Sequence, residues 1–229
     1  MKKLAALLAL TLPLSAAPEA RTVETSFYCF KYAPGVETIQ VANGETPVQI
    51  RLSTANITRS VRLPVAGEEA VIQGGNNQPA AKFRIPAKLG KALVVLAPAP
   101  SGSSEPYRAF VLDYGRDNFR PGTYRLVNVS RHPVRGAIGQ SYAEVKSGAT
   151  GDIELKGENG ATQGAKFEFH EGGKWNRLTE TRCAVRRDRR WLVLVHEDPA
   201  TKRMNLRSIP DRSLELAASA AAATASISE

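Results

Sequence analysis

The sequence predicts an all-β protein made of two tandem antiparallel β-sandwich domains. Three observations carry that expectation. About thirteen short runs rich in β-branched and aromatic residues follow one another, mostly about 8–12 residues apart, which is the spacing of sandwich or barrel strands. No amphipathic stretch of helical period has convincing length. The two halves of the chain also share a grammar of strand, turn and proline. The alternative is one large β-domain. The chain has 229 residues, enough for either, and a chain of this size buries roughly 70% of its unfolded surface without needing a metal or disulfide.

The elements follow in order. Residues 26–32, Ser-Phe-Tyr-Cys-Phe-Lys-Tyr, make an aromatic-rich strand closed by Pro34-Gly35. Val36 to Ala42 is a second strand, and Asn43-Gly44 is a hairpin-type turn. Thr46, Val48, Ile50 and Leu52 alternate with Pro47, Gln49 and Arg51, as in a strand buried on one face. Val61, Leu63 and Val65 repeat the pattern, and Gly74 to Pro79 is a loop before the short strand of Phe83 and Ile85. Leu93-Val94-Val95-Leu96 is apolar throughout, the mark of a strand covered on both faces, and residues 107–114 form the next one. After Pro121-Gly122 come Thr123 to Ser130, Val134 to Ile138, the alternation around Ile153 and Leu155, and Phe167 with Phe169. Lys174 to Val185, Trp191 to Val195 and Arg203 to Ile209 complete the series, with a turn at Asp198-Pro199.

These runs place the domains at 21–116 and 117–212, with an Ala-rich flexible tail at 213–229. Residues 1–20 read as a signal peptide. Lys2 and Lys3 precede the apolar run Leu4 to Leu14 and the small-residue exit Ser15-Ala16-Ala17. That apolar run is shorter than the roughly 20 residues a membrane-spanning helix needs, so no transmembrane span is expected. The expectation is therefore an exported protein, periplasmic or extracellular. In an oxidising compartment the cysteine pair Cys29 and Cys183 predicts one disulfide; the alternative is two separately buried thiols.

The repeat is legible in two places. Ile39 to Asn43 followed by Pro47-Val48 matches Tyr124 to Asn128 followed by Pro133-Val134. Lys91 to Pro98 and the strand after it match Arg190 to Pro199 and the strand after that. The segment Pro121 to Ser130, with Pro133-Val134, Asp198 to Thr201 and Arg207 to Ile209, resembles exported bacterial β-sandwich (Ig-like) families of unassigned activity. The resemblance spans about residues 90–210 and implies an envelope or secreted protein with no catalytic residue to carry over.

The formal net charge is +9, and it stays positive once residues 1–20 are removed. From Lys174 to Arg212 there are eleven basic and five acidic residues, so most of the excess lies near the C-terminal hairpin. Arg186-Arg187-Asp188-Arg189-Arg190 reads as a hairpin turn that displays its arginines together. The candidate anion-binding residues are Arg182, Arg186, Arg187, Arg189, Arg190, Lys202 and Arg203. Such a face favours encounter with polyanions, either an anionic polysaccharide or envelope phosphate. Export argues against nucleic acid as the partner. Trp175 and Trp191 are expected in the core rather than as stacking platforms.

No motif for chemistry emerges. His132, His170 and His196 lack metal-site spacing, and adjacent pairs such as His170-Glu171 point to opposite faces of a strand. No nucleophile elbow, phosphate loop or redox Cys pair occurs. The sequons at Asn56 and Asn128 are read as coincidental. No metal, cofactor or catalytic residue is expected. The sequence thus points to a non-enzymatic envelope protein with a binding or scaffolding role. Two alternatives stand beside it: a carbohydrate hydrolase using paired carboxylates, and a surface-assembly subunit pairing through strand edges.

Overall fold

The computed structural model describes residues 20–42, 46–198 and 200–211. The signal-like segment up to residue 19, the Asn43-Gly44 turn, Pro199, Arg212 and the tail at 213–229 lie outside the described residues. Among the described residues the chain is all β, with sixteen strands and no helix.

The N-terminal half holds β1 (Ala20–Cys29), β2 (Thr38–Val41), β3 (Val48–Arg51), β4 (Val61–Ala66), β5 (Glu69–Gly74), β6 (Pro79–Arg84), β7 (Lys91–Pro98) and β8 (Tyr107–Asp113). The C-terminal half holds β9 (Thr123–Asn128), β10 (Val134–Ile138), β11 (Ser141–Val145), β12 (Thr150–Glu154), β13 (Thr162–Glu171), β14 (Lys174–Ala184), β15 (Trp191–Glu197) and β16 (Met204–Pro210). In the first half β1 pairs antiparallel with β4 and parallel with β7, and β7 pairs antiparallel with β8. β2 pairs with β3 and β5, and β5 with β6, all antiparallel. The second half repeats each pairing in the same order. β9 is antiparallel to β12 and parallel to β15, and β15 is antiparallel to β16. β10 pairs with β11 and β13, and β13 with β14. Each half is therefore two four-stranded layers; in the first, the single bridge Ala66↔Glu69 joins them into one eight-stranded sheet.

The repeat read from the sequence is in part misaligned. β7 and β8 do correspond to β15 and β16 by their pairing. Ile39 to Val41, however, is β2, whereas Tyr124 to Asn128 is β9, the counterpart of β1. β5 and β11 are not legible in the sequence because Glu69–Gly74 and Ser141–Val145 carry few large apolar residues. Their inward positions are filled by Ala70, Ile72, Ser141 and Val145.

Side-chain alternation sorts the core into three clusters. Val23, Phe27, Ile39, Leu63, Ile72, Val94 and Leu96 fill the space between the two layers of the first half. Leu126, Val134, Ile153, Phe167, Val193 and Val195 do the same in the second. Between the halves lies a third cluster, with Tyr28, Phe30, Leu93, Val95 and Leu112 from one side and Val127, Val129, Leu192, Leu194 and Ile209 from the other. This explains the two unbroken apolar runs: successive residues of β7 and β15 face an intra-half core and the inter-half core by turns.

Two buried arginines fix the segment that links the halves. Arg125 on β9 holds Asp152 through Nε and Nη2, each at 2.8 Å, and also donates to the main-chain oxygens of Asp113 and Asn118. Arg190 donates to the Phe119 and Tyr114 oxygens and pairs with Asp211. The Phe119 ring meets both guanidinium groups, Arg125 at 4.5 Å and Arg190 at 4.6 Å from its centroid. Carbonyls turned toward the interior need donors, and a guanidinium supplies several in one plane.

Candidate basic surface

The structure divides the seven basic residues named from the sequence. Arg190 leaves the surface set, because it is 1% exposed and wholly engaged with the linker and Asp211. Lys202 and Arg203 sit in the turn after β15, at the opposite end of that strand from Arg189. Arg182, Arg186, Arg187 and Arg189 share the other end, which is the end that carries the linker.

The stretch 186–190 is a crossover between layers and not a hairpin turn, since β14 pairs with β13 while β15 pairs with β9 and β16. Its position follows from local bonds. Gly122 N–H donates to the Arg189 oxygen at 2.5 Å, and Asp211 N–H to the Arg190 oxygen at 2.9 Å. Arg187 donates its main-chain N–H to the Asn159 side-chain oxygen (3.1 Å) and its Nη2–H to the Gly157 oxygen (2.7 Å). Gly122 has a φ of 78°, so glycine suits the turn that lies against Arg187. Asp188 lies between Arg186 (3.3 Å) and Arg189 (3.5 Å), and Arg186 beside it holds its carboxyl below the usual range. Three arginines and one aspartate thus meet in the crossover at 186–189.

Two further arginines, Arg116 and Arg120, lie exposed on the linker at the same end. Charge counted along the C-terminal hairpin does not reveal them, because they lie about 60 residues earlier in the chain. The Gly122–Arg189 main-chain contact and the Arg190 bonds to the Tyr114 and Phe119 oxygens bring residues 116–120 and 186–189 to one end of the molecule.

The two cysteines are free thiols, which corrects the expected disulfide. Cys29 belongs to the first-half core and Cys183 packs against the second-half core, with the inter-half cluster between those layers. Burial pushes the Cys29 thiol up to about 11, and burial also raises Cys183. Both are poor nucleophiles in that state.

The tryptophans are half-buried rather than core. Trp191 stacks on Tyr124 with centroids 4.8 Å apart, and Trp175 lies under the Arg135 guanidinium at 4.2 Å. His132 faces Glu171 at 3.6 Å, His170 packs edge-on to Trp175, and His196 packs on Phe30 at 4.1 Å. No group of three metal-ligating side chains gathers among the described residues. Asn128 is fully buried and its amide bonds the His132 and Val145 oxygens, so its sequon is closed in the folded protein. The carboxylates with displaced pKa, Glu24, Glu105, Glu168, Asp188 and Asp198, all move downward through hydrogen bonds, toward retained charge rather than proton donation.

Among the described residues no helix is long and apolar enough to cross a membrane. No family model matches the chain, and no curated protein matches it.

Proposed function

We propose that the protein is an exported, non-enzymatic component of the cell envelope with a binding or scaffolding role. In this reading its halves are tandem Ig-like β-sandwich domains held as one body. The linker-end arginines contact an anionic polysaccharide or an envelope phosphate polymer. The observation that carries the reading is the convergence of Arg182, Arg186, Arg187 and Arg189 with Arg116 and Arg120 at one end of the layered stack. A repeating polyanion suits such an array, because each added phosphate or sulfate contact releases counterions and strengthens binding. The linker, pinned by Arg125 and Arg190, supports the scaffolding part. A fixed spacing between two modules lowers the ordering cost of binding an extended partner.

The test is chromatography of the mature chain on immobilised heparin across a salt gradient. Elution at higher salt than a size-matched protein of equal net charge is expected. Elution together with that control overturns the basic-face reading.

β14 favours a second reading, in which the protein pairs with other subunits by strand addition. It is an 11-residue outer strand, and most of its residues are exposed or half-exposed. Its charges, Lys174, Arg177, Glu180 and Arg182, are the kind that discourage unspecific pairing at an edge. Light scattering decides: a monomer across the micromolar range removes self-assembly.

A further inference from the structure

At the end opposite the linker the two halves enclose a groove of about 380 Å³. One wall is the β7–β8 connection, Ala97 to Ser101, with Arg108 at the start of β8. The other wall is Val129 to Arg131 together with His196, Glu197, Ala200 and Lys202. The apolar part is small and stiff, built on Pro98, Pro100, Val129 and Ala200. The polar part is cationic, with Arg108, Arg131 and Lys202 set against the single carboxylate Glu197, which Arg131 holds at 3.4 Å. His196 adds a neutral wall rather than charge, since its ring packs on Phe30.

The backbone at Lys202 is a second, independent observation. Lys202 has a φ of 57°, and the only other non-glycine residue with positive φ among the described residues is Asn77. Asparagine adopts this region readily, whereas lysine does so at a cost that glycine would avoid. The turn itself does not need the lysine side chain. Asp198 organises it by accepting from the Ala200 and Thr201 N–H groups, and Lys202 N–H donates to the Asp198 oxygen. A strained residue kept where glycine fits, with its side chain on a groove, points to use of that side chain.

We infer that this groove is a binding site for one sugar unit esterified with phosphate or sulfate. The ring lies on the proline and alanine wall, and the tetrahedral oxyanion sits among Arg108, Arg131 and Lys202. The volume lies at the small end of ligand sites, which fits one such unit. Two guanidinium forks and an ammonium match a tetrahedral oxyanion. The site is at the far end of the stack from the linker arginines and does not depend on their role.

The experiment is calorimetric titration of the mature chain with glucosamine 6-phosphate, glucosamine 6-sulfate, inorganic phosphate and glucosamine. Saturable 1:1 binding of the two esters is expected, tighter than inorganic phosphate, with none for glucosamine. Lys202→Gly weakens the esters at least about tenfold while the melting temperature stays level or rises, and Arg108→Gln weakens them similarly. Arg186→Gln/Arg187→Gln leaves them unchanged. A heparin hexasaccharide that binds tighter than the monosaccharide, with the same Lys202→Gly loss, identifies a unit within a polymer; equal affinity identifies a free sugar ester. Absence of saturable ester binding, equal affinity in Lys202→Gly, or a loss produced instead by the Arg186/Arg187 pair overturns the site.

Discussion

The Arg190 guanidinium donates its Nε–H to the Asp211 carboxylate at 2.5 Å, with both side chains closed to solvent. The pair joins the residue before β15 to the residue after β16, and through Arg190 it holds the linker carbonyls of Tyr114 and Phe119. A buried pair of this kind contributes little against an apolar pair of equal volume, but removing one partner strands the other charge.

Asp211→Ala is therefore expected to destabilise the protein by about 3–5 kcal/mol. Replacing both residues, as Arg190→Met with Asp211→Leu, is expected to recover a large part of that loss. Urea midpoints of the two variants at constant m-value check both statements.

The apolar layer between the halves predicts cooperative behaviour. Leu194 is fully buried in that layer, and Leu194→Ala is expected to cost about 2–5 kcal/mol. Both tryptophans lie in the second half, so their fluorescence reports that half while far-ultraviolet dichroism reports the whole. The two signals are expected to move together to lower temperature. Separate transitions would show halves that unfold independently.

Gly136 predicts an overpacking effect. A Cβ there would meet the Phe167 ring at 2.6 Å and Ile153 Cδ1 at 3.0 Å. Gly136→Ala is expected to cost about 1–3 kcal/mol by displacing the second-half core. Thermal melting measures it, and an unchanged melting temperature contradicts the packing described.

His196 sets an acid limb of stability. Burial first, then the nearby Arg207 charge, lowers it to about 4 against the ordinary 6.5, while Asp198 acts the other way. An unfolded histidine takes up a proton below 6.5 while the folded one stays neutral. The stability carried by the neutral ring is therefore whole above pH 6.5 and is lost as pH falls through about 4. His196→Leu is expected to flatten the melting-temperature profile between pH 6.5 and 4. A parallel profile contradicts the assignment.

How much of this was legible in the sequence depends on how local each signal is. Period-two alternation and proline-glycine turns exposed the all-β class, and the apolar runs of β7 and β15 marked strands covered on both faces. The pairing partners were not legible. The parallel pairings β1–β7 and β9–β15 join residues far apart in the chain, and nothing local records them. For the same reason residues 186–190 look like a hairpin turn in the sequence, and Arg190 groups there with its neighbours. Charge density along the chain cannot separate an arginine that faces water from one that binds main-chain oxygens of the linker. The expected disulfide failed for a similar reason: an even cysteine count carries no information on which layer each thiol enters.

The central claim is that the linker-end arginines read a polyanion. It is tested most directly by the salt dependence of binding to a fluorescent heparin oligosaccharide, in wild type and in Arg186→Gln/Arg187→Gln. The wild type is expected to bind with a steep negative slope of log K against log salt, and the variant to lose about two units of that slope, about one per contact removed. Identical slopes and affinities in the two proteins would contradict the account.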